Sequence, residues 1–164
     1  MVEPGATPLV LRGVDVVRDG GALLAGIDWT VDHGERWVVL GRNGSGKTLL
    51  LRVASLYLHP SSGSVRVLGE ELGRTDVRRL RTRIGLASPA FGSMLREQLT
   101  PVEVVMTARY GALEPWWHSY DDDDRARALA LLERFHVAHG ADRPVATLSS
   151  GERQRVLLAR AFSG

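Results

Sequence analysis

The octapeptide Gly41-Arg42-Asn43-Gly44-Ser45-Gly46-Lys47-Thr48 constrains this chain more than any other stretch, because it satisfies the pattern G-x-x-x-x-G-K-[ST] in full. Before it, Arg36 to Leu40 (Arg-Trp-Val-Val-Leu) is short and almost uniformly apolar, which predicts a strand buried on both faces of a parallel sheet. After it, Leu50, Leu51, Ala54 and Leu58 recur at helical spacing until His59-Pro60-Ser61-Ser62-Gly63 ends the run. A strand, a glycine-rich turn and a helix in that order make a cradle for phosphate. The glycines let successive N–H groups converge on phosphate oxygens, and the helix N-terminus adds its positive end. On this reading Gly41, Asn43, Gly44, Ser45 and Gly46 line the cradle, Lys47 bridges the β and γ phosphates of a nucleotide, and the Thr48 hydroxyl ligates Mg²⁺. The plain alternative is a glycine-rich turn between a strand and a helix. Charge usage argues against it: of 21 Lys and Arg residues only Lys47 is a lysine, and it stands where the motif needs an ammonium.

Composition closes off several other classes. At 164 residues and 44% apolar the chain is one globular unit, given roughly 100 to 200 residues per domain. A net charge of +2 with both signs interspersed gives no basic stripe, so no nucleic acid is expected as a partner. The absence of cysteine excludes a disulfide scaffold and thiolate chemistry. No window reaches the roughly 18 to 20 apolar residues of a membrane span, and Met-Val-Glu-Pro-Gly at the N-terminus is not a signal peptide. The expected location is the cytoplasm, free or peripheral at the cytoplasmic face of a membrane. His118, His136 and His139 could suggest a metal site, but His136 and His139 lie on a helix end with no third ligand nearby, and the histidines read as surface residues.

Along the chain, Leu9 to Val17 and Leu23 to Val31 flank the turn signal Arg18-Asp19-Gly20-Gly21 and predict a hairpin. Val65 to Leu68 reads as a strand, Asp76 to Arg83 as a short basic helix, and Ile84-Gly85-Leu86-Ala87 as a further buried strand cut off by Pro89. From Phe91 to Gly140 the pattern is helical. Thr100-Pro101-Val102-Glu103 is a capping box, and Asp121 to Asp124 form the solvated, dipole-matched start of another helix. Trp116 and Trp117 are expected to fill the core of this helical part.

Leu148-Ser149-Ser150-Gly151-Glu152-Arg153-Gln154 is by itself a second capping box that opens a last helix. Placed after a phosphate loop and a helical insertion, it carries more. Here the chain resembles the nucleotide-binding domain of ABC ATPases, whose signature, L-S-G-G-Q or a close variant, lies at this point. The resemblance covers nearly the whole chain. It implies an α/β fold: a P-loop NTPase-type three-layer core with an N-terminal antiparallel β hairpin, a helical subdomain and an incomplete core sheet. Within a single nucleotide-binding domain over residues 1–164 it sets a hairpin and phosphate-loop core at 1–90, the helical subdomain at 91–148 and the signature helix at 149–164. It further implies ATP and Mg²⁺ as ligands, and a head-to-tail dimer with a second nucleotide-binding domain. In that dimer Ser149, Ser150, Gly151 and Glu152 act in trans on the γ-phosphate held by the other copy. A transmembrane transporter subunit is the usual further partner, coupled to ATP binding and hydrolysis.

The chain departs from the family pattern in four places. Arg18 stands where an aromatic residue usually stacks on adenine, and a guanidinium also stacks on a flat ring. Pro89 stands where the family has a Gln that reaches Mg²⁺ and its attacking water, so this contact is lost or supplied elsewhere, for example by Ser88. Ser150 and Glu152 replace Gly and Gln of the signature. After the signature helix the family continues into an apolar strand ending in Asp, a catalytic Glu and a later His. None of these is found in the 164 residues, so no catalytic residue is assigned, and a truncated domain or a gap covered by partner material is the expectation. Two rivals follow: a module that binds nucleotide without hydrolysing it, and a P-loop small-molecule kinase.

Overall fold

A computed structural model of the chain describes residues 7–163; the leader before Thr7 and the terminal Gly164 lie outside the described residues. The hairpin forms as the turn chemistry dictates. β1 (Leu9–Arg18) and β2 (Gly21–Val31) pair antiparallel, with Leu9 opposite Val31 and Arg18 opposite Gly21. The linking Asp19 and Gly20 have φ of 50° and 75°, the doubly left-handed turn whose twist matches its strands. Where the ladder slips, carboxylates take over: Asp28 accepts the Gly13 N–H at 2.7 Å and Asp15 the Gly26 N–H at 2.6 Å. The Ser62 hydroxyl and that Gly26 N–H hold the Asp15 carboxyl below its usual range.

β3 (Ser62–Val67) pairs antiparallel with the other edge of β1, and β4 (Glu70–Glu71) with β3, giving the order β2-β1-β3-β4. Alternate residues Leu9, Leu11, Val14 and Val16 of β1 are buried, as are Leu24, Val65 and Val67. α1 (Lys47–Ala54) follows the glycine-rich loop. It stops short of the expected Leu58 because Leu56 takes φ 64° and the N–H groups of Tyr57 and Leu58 both turn back to the Arg52 carbonyl.

Two expected strands do not enter a ladder. Arg36 to Leu40 joins no strand, and Trp37, Val38 and Leu40 are 54%, 79% and 86% exposed. Ile84 to Ala87 is likewise unpaired and only partly buried. The reason is that a strand is stabilised by hydrogen bonds to a neighbour, and the described strands all belong to the antiparallel sheet. The sheet is therefore the hairpin's, with the parallel core left incomplete.

The chain divides into two compact units, one ending at Val77 and the other beginning at Arg78. The second is built from helices. α2 (Val77–Arg81) leads to the extended 84–87 stretch, which lies so close to the final helix that a Cβ on Gly85 would be 2.6 Å from the Ala161 carbonyl. α3 (Pro89–Gly92), α4 (Pro101–Met106), α5 (Asp122–Arg134) and α6 (Ser150–Ala161) follow. α4, α5 and α6 pack on one another around Val102, Val104, Val105, Leu132, Val156 and Ala159. Capping boxes fix all three starts, with Thr100 and Glu103, Asp121 and Asp124, and Ser149 and Glu152 bonded reciprocally. Arg160 is buried in this core: its Nε donates to the Thr107 hydroxyl at 3.2 Å, and the guanidinium lies 4.6 Å over the Phe91 ring.

Two expectations are corrected here. Trp116 and Trp117 are not core; at 56% and 84% exposed they sit on the loop after Pro115, with the Arg96 guanidinium 4.5 Å over the Trp116 ring. The aspartate run is not wholly solvated either. Asp124 is buried, paired with Arg109 and, at 2.5 Å, with Arg127, and the Arg109 bond holds its carboxyl far below the usual range.

Candidate functional site

The loop from Gly41 to Gly46 gets its shape from two left-handed glycines, Gly44 at φ 82° and Gly46 at φ 86°. Nothing lies within 4 Å of a Cβ placed on Gly44, so that position is required by backbone conformation alone. Gly46 is required twice over: a Cβ there would meet Leu24 Cδ2 at 2.6 Å and the Leu23 carbonyl at 3.2 Å. The loop thus rests on the start of β2. Ser45 N–H closes the turn onto the Arg42 carbonyl at 3.2 Å.

Gly46 is also the N-cap of α1, and no side chain caps this helix. The first N–H groups of a helix have no intrahelical partner, and their partial positive charge suits an anion. Lys47 reaches back over the loop, its Nζ donating to the carbonyls of Gly41 and Arg42 at 2.7 Å each, with Ser45 Oγ at 3.5 Å. Thr48 is exposed one residue further on, as are Asn43 and Gly44. One loop therefore gathers a flexible ammonium, a hydroxyl and an uncapped helix start. These donors fit phosphate oxygens, and the Thr48 hydroxyl fits a hard cation that carries them.

Arg18 is exposed at the tip of the hairpin. Its partner across the ladder is Gly21, and Val16 faces Leu24, so the hairpin end that carries Arg18 is the one that backs Gly46. Glu35 secures the approach to the loop, its carboxylate accepting from the Asp32 N–H and the Trp37 indole at 2.9 Å each.

In the helical unit, Ser149, Ser150 and Gly151 lie exposed at the start of α6, with open space around the Gly151 Cβ position. Glu152 closes the cap: its Oε2 accepts from the Ser149 N–H at 2.8 Å and from the Ser149 hydroxyl at 2.6 Å, while Ser149 Oγ accepts from the Glu152 N–H at 3.3 Å. These bonds, the Ser149 hydroxyl first and then the His139 ring, lower the Glu152 carboxyl to about 2. The His139 contact, Nε2 to Oε1 at 2.7 Å, has no signal in the sequence, because the two residues are on different elements. Ser88, the expected substitute donor beside Pro89, is committed as the N-cap of α3, its Oγ accepting from the Phe91 N–H at 3.1 Å. A cleft of about 390 Å³ runs between Pro89, Glu97 and Val145 on one side and Ser150 and Arg153 of α6 on the other. Among the described residues no helix is long and apolar enough to cross a membrane, and no group of three His, Asp or Glu side chains is placed to hold a metal ion.

Comparison with known proteins places the chain in a family. The family described as ABC transporter matches residues 24–164. An uncharacterised ABC transporter ATP-binding protein, YlmA of Bacillus subtilis, is 38% identical over 155 residues, covering 94% of this chain and 58% of the relative. A phosphonates import ATP-binding protein, PhnC 1 of a Ruegeria species, is 38% identical over 149 residues, covering 87% of this chain and 57% of its own. The chain thus spans less than two thirds of the length of these relatives. Among solved structures, the ATP-binding cassette MJ0796, a dimer in a post-hydrolysis state bound to ADP and Pi, has a TM-score of 0.78 at 24% identity, over 94% of this chain and 69% of that one. With the motif loop, the helical unit and the capped α6 occurring in the matched order, the chain belongs to the ABC transporter ATP-binding family.

Proposed function

We propose that this chain is the ATP-binding part of an ABC-type ATPase that binds MgATP and couples its binding and hydrolysis to a partner, most simply a membrane transporter subunit. The observation that carries the reading is the loop itself: a single lysine folded over two carbonyls beside an uncapped helix start. Gly41, Asn43, Gly44, Ser45, Gly46 and Lys47 hold the phosphates, Thr48 holds Mg²⁺, and Arg18 stacks on the base from the hairpin tip. Bound Mg²⁺ supplies charge neutralisation at the phosphates. Lys47 exchanges the loop carbonyls for phosphate oxygens, and the helix start stabilises the anion without reorganisation. Ser149, Ser150, Gly151 and Glu152 serve the nucleotide of a second domain. The dimeric state of MJ0796 supports that arrangement.

Lysine chemistry tests the reading. An amine-selective reagent has one side-chain target in this chain, Lys47. MgATP protects it and AMP, lacking the β and γ phosphates, does so poorly; peptide mass mapping showing equal labelling with every nucleotide would reduce the loop to a turn. Lys47→Ala removes a charge-assisted contact of about 1.5 to 3 kcal/mol and weakens ATP binding by about tenfold or more. The competing reading, binding without turnover, is separated by steady-state phosphate release. A rate near background from the 164-residue chain favours it, whereas about 1 to 100 turnovers per second, as in ordinary kinases, points to a carboxylate acting on the water.

A further inference from the structure

A signature helix that receives a phosphate in trans has a problem in this chain, because its own N-terminus already holds an anion. Glu152 lies in the first turn of α6, is only 17% exposed, and binds the Ser149 hydroxyl proton and the Ser149 N–H through one oxygen. A second anion arriving at Ser149 and Gly151 meets like charge, and the Ser149 hydroxyl is held by a carboxylate instead of being free to donate. His139 sits on the other carboxylate oxygen, 2.7 Å away. Its turn (Ala138–Gly140) runs so close to the signature that a Cβ on Gly140 would lie 2.9 Å from Leu148 Cδ2, while the His139 side chain remains 59% exposed. Buried Val137, bonded to the Leu132 carbonyl of α5, anchors the turn from behind.

We infer that His139 is a positioning residue of the signature, the counter-group that holds the second oxygen of the Glu152 carboxylate and offsets its charge, so that this helix start accepts a phosphate. The neighbouring charges are otherwise directed. Arg153 donates to the carbonyls of Leu148 and Ala146, Asp142 pairs with Arg125 of α5, and the Arg143 guanidinium lies along Gly140. Among the described residues the basic group in contact with the Glu152 carboxylate is His139. The inference rests on the proposed action of the signature in trans, and it predicts a particular sign. Removing His139 leaves an uncompensated carboxylate and weakens MgATP-driven association of two copies. Removing the carboxylate as well, by Glu152→Gln, restores it, because the amide still accepts the Ser149 N–H and no longer repels phosphate. A helix cap without such a role behaves oppositely, each substitution adding to the loss.

The experiment measures MgATP-dependent self-association by sedimentation for the parent, His139→Ala, Glu152→Gln and the double variant, with the Glu152 carboxyl carbon of the parent and His139→Ala titrated by NMR. Expected are an association about two- to fivefold weaker in His139→Ala, the size of an exposed ion pair, recovery in the double variant, and a Glu152 carboxyl that titrates higher without His139. Association unchanged in His139→Ala, or further weakened in the double variant, overturns the inference while leaving the ATP site intact. A parent chain that binds MgATP yet does not associate removes the action in trans and the inference with it. A parent that fails to bind MgATP at all overturns the nucleotide reading first, and the inference falls with it.

Discussion

The loop unit and the helical unit answer the same problem, holding a functional helix start in place, by opposite means. At α1 the chain uses backbone: left-handed glycines shape the approach, Gly46 is the cap, and the first N–H groups are left without a side-chain partner. At α4, α5 and α6 it uses side chains, closing each start with a reciprocal pair of hydrogen bonds. The difference teaches how a start is fixed: by side chains that close its first N–H groups at α4, α5 and α6, and by glycine backbone that leaves them open at α1. Capping boxes satisfy orphan donors locally. An uncapped start keeps its donors for a ligand.

That contrast can be broken at several points. The largest effect belongs to the helical core. Phe91, fully buried beneath the Arg160 guanidinium, should cost about 3 to 5 kcal/mol on Phe91→Ala, read as a lowered thermal midpoint. In the loop unit Gly46→Ala comes next, with about 1 to 2 kcal/mol for a left-handed alanine and a further ~1 to 3 kcal/mol for the clash with Leu24. Gly44→Ala carries only the first of these, so denaturant midpoints that rank the two alike would show that Leu24 does not back the loop. Ser149→Ala removes both hydrogen bonds of the cap hydroxyl with Glu152 and should cost about 0.5 to 2 kcal/mol, seen in amide exchange at the start of α6. Smallest is Leu40→Ser, within about 0.5 kcal/mol because the side chain is 86% exposed. A larger loss there would mean that Trp37 to Leu40 is covered in solution.

Acid sharpens the comparison further. The caps of α5 and α6 rest on carboxyls lowered by their partners: Asp124 well below the usual carboxylate range, and Glu152 from 4.5 to about 2. A carboxyl lowered on folding stabilises the folded state above its unfolded value, and the contribution disappears as pH falls through the folded one. Helicity of the second unit should therefore be constant above about pH 4.5 and decline toward pH 2, with a shallower decline in Asp124→Asn. The α1 start has no acidic residue in its first turn and supplies no such term.

How far the sequence could be read follows the range of the interactions. Caps, turns and the motif loop are set within a few residues, so Asp19-Gly20, Thr100 with Glu103, Ser149 with Glu152 and the glycines around Lys47 were all legible. The apolar runs 36–40 and 84–87 misled for the complementary reason. Hydrophobicity says that a segment is suited to a strand, but pairing depends on a neighbour that no local signal supplies.

The sequence by itself determined the family, the glycine-rich motif loop and the capped start of α6, because each is a pattern of residue types at fixed spacing. Tertiary structure alone decided that Lys47 folds onto the Gly41 and Arg42 carbonyls, that Asp124 is buried between arginines, and that His139 reaches Glu152. In the last two cases the charges come from separate elements, and their meeting is fixed by how α4, α5, α6 and the 138–140 turn pack. Burial and distance set the strength of such contacts, and both are properties of packing.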